Sequence, residues 1–192
     1  MTELLKKGLG KMDEPLCRID NIFGKRNYFI DYGMALDIYG LLPMAYGELV
    51  DIVIPLKQNA NEIIIKLNRE LKKTPKAIVA LAGESKKINE GLICGTVVVV
   101  HKRKFKESDY IRAKYNNLKL NVAKPEKSII DCLLRDDFYR NELAIPALVE
   151  GLEFGNIDPG ELLKIARSEN IYNYVKKLIK DIKEGKVIEN VA

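Results

Sequence analysis

Residues 95–104 read GTVVVVHKRK. Four successive β-branched residues, Val97–Val100, favour extended backbone, where their side chains pack well on a pleated surface. The run lacks polar alternation, so neither face of the strand is suited to water. Such a strand belongs in the interior of a sheet covered on both sides, and the chain must supply amphipathic helices to cover it.

Those helices are legible. Asn59 and Glu62 stand at capping-box spacing ahead of Ile63, Ile64, Leu67 and Leu71,. Asp31 can cap a helix carrying Met34, Ala35, Ile38 and Tyr39, with Gly40 as a left-handed stop and Pro43 preventing continuation,. Asp158, Pro159 and Glu161 open another,. A last one places Ile171, Tyr174, Val175, Leu178 and Ile182 on one stripe and stops at Gly185,. Pro146 predicts a kink or break within RNELAIPALVEGL,.

Strands are expected at ELVDIVIP (48–55) and at NLKLNVA (117–123), where Leu118, Leu120 and Val122 alternate with polar residues,. Residues 16–30 read as a strand broken by the turn-like Gly24–Asn27,. Residues 75–93 read as strand, turn and helix, and residues 2–9 as a short helix. The fold class is therefore α+β, a mixed sheet with flanking helices and a helical C-terminal third. Residues 1–135 form the α+β core domain, with 136–192 a C-terminal helical extension packed on it.

At VAKPEKSIIDCLLR the last strand runs into a helix. Pro125 suits the first helical position, where its missing N–H costs nothing. Glu126 complements the positive helix end. Ile129, Ile130, Leu133 and Leu134 make an apolar face, and Lys127 and Asp131 stand four apart,.

Charge is unevenly distributed. The chain carries +5 overall. Between His101 and Lys127 nine bases (Lys102, Arg103, Lys104, Lys106, Arg112, Lys114, Lys119, Lys124 and Lys127) face only three acids. Essentially all the positive excess lies there, interleaved with Phe105, Tyr110 and Tyr115. Such a segment can attract nucleic acid or an acidic partner, by phosphate contact rather than base reading. The plainer reading is a solvated face whose lysines guard edge strands. Lys57, Glu84, Asp136 and Asp137 read as surface charges.

Several chemistries lack their residues. The single histidine, His101, and the scattered Cys17, Cys94 and Cys132 do not suit a zinc site or a His-assisted nucleophile,. No phosphate-binding P-loop, dinucleotide G-x-G-x-x-G, H-E-x-x-H or G-x-S-x-G pattern occurs,. No cofactor or metal is expected. The odd, widely spaced cysteines, the lack of an apolar leader and the lack of a spanning-length apolar run predict a cytoplasmic protein with no membrane association.

Two resemblances bear on function. IDYGMALDIYG followed by ELVDIVI resembles the opening of small nucleotidyltransferases, in which a strand Asp-x-Asp pair holds metal ions. Here only Asp51 stands on that strand. Glu48 is three residues away and faces oppositely, and Tyr32-Gly33 replaces the glycine pair. Asp51 is thus an alternative metal ligand on a degenerate nucleotidyltransferase fold. More extensively, Ala123, Pro125, Glu126, Lys127, Ile129, Ile130 and Asp131 resemble the A-x-P-E-K-A-h-h-D motif of the AbiEi abortive-infection family, with Ser128 in place of the usual Ala. Ala35–Leu41 resembles that family's A-L-x-x-h-G-L helix. The match runs over roughly residues 27–150.

The AbiEi resemblance implies a non-catalytic antitoxin and transcriptional regulator of a type IV toxin–antitoxin system, a form of viral defence, that counters a nucleotidyltransferase-type toxin. About 26 residues precede the matching region, too few for the family's N-terminal winged helix, so sequence-specific repression is not expected. DNA or RNA contact through 101–127 remains an alternative.

Overall fold

The computed structural model describes residues 15–24, 27–43, 49–72, 77–84, 88, 95–136 and 138–186. A helix over residues 15–23 (α1) leads into β1 (Phe29–Asp31), α2 (Tyr32–Ile38), β2 (Leu49–Pro55) and α3 (Ala60–Leu71). Then come β3 (Ile78–Leu81), β4 (Val97–Arg103) and a hairpin of β5 (Tyr110–Tyr115) and β6 (Leu118–Ala123). Helix α4 (Pro125–Leu133), a π-helical stretch (Phe138–Ala144), α5 (Ile145–Glu153), α6 (Pro159–Ser168) and α7 (Tyr172–Lys183) complete the chain.

The protein is α+β. Its six strands form one mixed sheet in the order β3-β4-β2-β1-β6-β5. Strands β3, β4 and β2 run parallel; β1 is antiparallel to β2 and parallel to β6; β5 is antiparallel to β6. The valine run behaves as its composition requires. Val98 and Val100 enter the main core, whereas Val97 and Val99 join Leu49 and Ile88 in a second cluster. Adjacent residues of a strand point to opposite faces, so β4 is buried on both.

Helix α3 packs on β3 and β4. Its Asn59 cap accepts from the Asn61 N–H at 3.1 Å and donates to Glu62 at 3.2 Å. Helix α2 packs on β2 and on α4, and α4 touches the π-helical stretch, α5 and α6. Leu148, Leu162, Val175 and Ile179 from the C-terminal helices share one apolar cluster with Ile30 and Val122 of the sheet.

Pro146 stands where the helix type changes: the π-helical stretch ends at Ala144 and α5 begins at Ile145, which places Pro146 in its first turn,. Gly151 lets Ile157 close in: a Cβ there would lie 2.8 Å from the Ile157 Cγ2.

Local expectations fail in three places. Residues 15–23 are helix rather than strand, because Leu16, Ile19 and Phe23 recur at helical spacing toward the core,. On α7 it is Ile179, not Tyr174, that is buried with Val175 and Leu178; Tyr174 is 44% exposed. Strand β5 had no clear sequence signal, since its burial does not alternate. The expected helix over 2–9, and the acid Glu48, lie outside the described residues. No described helix is long and apolar enough to cross a membrane.

Candidate functional site

Sheet register assembles a group of charges that sequence order keeps far apart. In the β1–β2 pair Asp31 sits directly opposite Asp51. Residues so placed share a face and lie within reach of each other. In the β2–β4 pair Asp51 is level with Val99 and Val53 with His101, so the two-residue period brings His101 and Arg103 to that same face. Helix α4 adds Lys127, Asp131 and Cys132. Asp31 and Asp51 are fully buried, and His101, Lys127 and Asp131 nearly so.

These groups neutralise one another. Arg103 donates through Nη2 to Asp31 Oδ2 and, at 2.5 Å, to Asp131 Oδ2. Lys127 donates to Asp131 Oδ1 at 2.5 Å and lies 3.4 Å from Glu169. Asp51 Oδ1 is 2.7 Å from His101 Nε2, and the Tyr139 hydroxyl approaches both Asp51 oxygens at 3.4 and 3.5 Å. Arg135 Nη1 is 3.5 Å from His101 Nδ1. Arginine can only donate, so the ring is set with Nδ1 accepting and Nε2 donating to Asp51.

Burial pushes the Asp31 carboxyl up to about 7 from 3.8,. The adjacent Asp131 charge and a hydrogen bond with Asp131 push the same way; Arg103 opposes them. For Arg103 itself burial disfavours the charge, but Asp31 and Asp131 outweigh it and hold the guanidinium more firmly protonated than usual. Burial also pushes the Cys132 thiol well up, which leaves it a packed apolar group rather than a nucleophile.

Tyr32 carries the local strain. Its φ is +53°, a left-handed conformation that costs an aromatic residue about 1–2 kcal/mol,. Its N–H donates to Asp31 at 2.7 Å, and its ring packs against His101 and Tyr139 with the Arg135 guanidinium 5.2 Å from its centroid. The strain thus sits beside the charge group, held by contacts on three sides.

The nine bases of residues 101–127 part company. Arg103, Lys104, Lys106 and Lys127 line one cavity of about 690 Å³, joined there by Lys57. Arg112 instead makes a two-pronged ion pair with Asp20, both contacts 2.8 Å, and Asp20 accepts from Tyr28 at 2.6 Å. That triad ties α1 to the hairpin. Lys114 and Lys119 are directly opposed on the β5–β6 pair. Like charges so placed repel, and they suit an edge guarded against further strand pairing. Lys102 is exposed at the end of β4, and Lys124 precedes α4 without capping it.

The motif residues occupy the corner between β6 and α4. Ala123 ends β6 fully buried, and Pro125 opens α4. Glu126 accepts from the Asp158 N–H at 2.8 Å and so joins the start of α4 to the start of α6. The Ser128 hydroxyl is buried and has no hydrogen-bond partner among the described residues. Replacing Ser128 with alanine should therefore stabilise the fold by about 0.5–1 kcal/mol in denaturant unfolding, by removing an unpaired polar group and raising helix propensity.

Asp51 was open to sequence reasoning as a strand acid, and Asp131 as a motif acid. Asp31 read only as a helix cap, His101 only as a lone histidine, and Lys57 as a surface charge. Arg135 and Tyr139 had no signal. Among the described residues no cluster of three or more His, Cys, Asp or Glu has the geometry to hold a metal ion. The chain matches no family model, no curated protein and no solved structure.

Proposed function

We propose that this chain is a non-catalytic antitoxin or regulatory protein of an AbiE-like defence system, countering a nucleotidyltransferase-type toxin. One observation carries the reading: the buried acids are each engaged by protein groups. Arg103 bridges Asp31 and Asp131, Lys127 takes the other oxygen of Asp131, and His101 and Tyr139 take Asp51. Carboxylates that grip catalytic magnesium need oxygens turned to an open position, and here a guanidinium and an imidazole fill the space around them. The resemblance over 123–131 and 35–41 adds support, and the corner at Pro125 serves architecture.

The Asp51-centred transferase reading has a specific point in its favour, the Asp31–Asp51 register. It has a specific point against it, the salt bridge that already occupies Asp31. Co-expression with the product of the adjacent gene tests the antitoxin reading. Relief of that product's toxicity is expected; unrelieved toxicity with this chain folded and abundant contradicts it.

A further inference from the structure

The 690 Å³ cavity lies where the ends of β2 and β4 meet α6. Its volume is that of a small-ligand pocket. Its lining mixes two kinds of residue. Pro55, Leu56, Phe105 and Ile165 are apolar, whereas Lys57, Arg103, Lys104, Lys106 and Lys127 are cationic. The two acids of the lining are already engaged: Asp109 accepts from the Lys106 backbone N–H at 2.8 Å, and Glu169 faces Lys127. Among the described residues no carboxylate lies within ion-pair distance of the Lys57, Lys104 or Lys106 ammonium groups.

Arg103 is already committed to Asp31 and Asp131. Its Nη2 carries both carboxylate contacts, while Nε is buried with no hydrogen-bond partner among the described residues. The neighbouring bases do not extend the cavity into a track. Lys102, Lys114, Lys119 and Lys124 are not part of its lining, and Arg112 is committed to Asp20. Compact positive charge beside apolar walls suits a small amphipathic anion better than a long polyanion.

We propose that this cavity binds a nucleoside di- or triphosphate. Its phosphates meet Lys57, Lys104 and Lys106 with Arg103 behind them, and its base lies against Phe105 and Ile165. The site is reversible and non-covalent. It does not rest on the antitoxin reading, since toxicity can be relieved whether or not nucleotide binds.

Calorimetric titration of the full chain with ADP, adenosine and inorganic pyrophosphate tests it. ADP is expected to bind saturably in the micromolar range, with adenosine and pyrophosphate each about tenfold weaker or more. The exposed pair Lys57→Ala/Lys106→Ala should weaken ADP by about tenfold or more while leaving the melting temperature of the unliganded protein unchanged. Lys114→Ala/Lys119→Ala should leave ADP binding intact. No saturable ADP binding, pyrophosphate binding as tight as ADP, or ADP affinity indifferent to Lys57 and Lys106 would each overturn the assignment.

Discussion

Arg103→Ala is expected to destabilise the protein by about 3–5 kcal/mol, the range for removing one member of a buried ion pair. The guanidinium serves two carboxylates, one fully buried and one nearly so. Without it Asp31 and Asp131 confront each other with Lys127 as the remaining cation. The loss should depend on pH. Asp31 is pushed up to about 7, above its unfolded value, so the fold gains from holding that proton below pH about 4 and loses this gain as pH rises through 7. At pH 5 the variant can keep Asp31 neutral at little cost. At pH 8 it must either ionise an unpaired buried acid or hold a proton against the solution. Urea unfolding at both values should give a markedly larger loss at pH 8, and an equal loss at both would contradict the proposed pairing.

Asp131→Ala is expected to cost a similar amount, about 3–5 kcal/mol, for the converse reason. It leaves the Lys127 ammonium, whose side chain is only 9% exposed, with Glu169 as its one acid among the described residues, 3.4 Å away and 39% exposed. Adding Lys127→Met should recover part of the loss, because a buried charge that keeps only one half-exposed partner is worse than an apolar chain of similar length. The double-mutant cycle should give a coupling of about 1–3 kcal/mol between positions 127 and 131. Additive losses would mean that the two side chains act separately.

How much of this was readable beforehand depends on range along the chain. Features set by neighbours in sequence were readable. Val97–Val100 announced a doubly covered strand, Asn59 announced its helix, and Ala123-Lys-Pro125 announced a corner. The helix over 15–23 was misread because a short apolar stretch beside a glycine carries both periods at once. The charge group was legible only in parts. Asp51 and Asp131 drew notice as acids, yet nothing local says that Asp31 will lie opposite Asp51 or that Arg103 will cross from β4 to α4. Those facts follow from β4 pairing with β2, which brings together His101 and Asp51, 50 residues apart, and from β1 inserting between β2 and β6. The same crossover explains why Lys57 joins Lys104 and Lys106 while their sequence neighbour Arg112 goes elsewhere.

We read the buried acids as holding the fold together and not as metal ligands. Titration of the full chain with manganese, followed by the electron paramagnetic resonance signal of the free ion, tests this most directly. The signal is expected to rise as in buffer, with no ion taken up stoichiometrically at millimolar or lower concentration. Uptake of one or two ions per chain, lost on Asp51→Asn or Asp31→Asn while the variant remains folded, would contradict it.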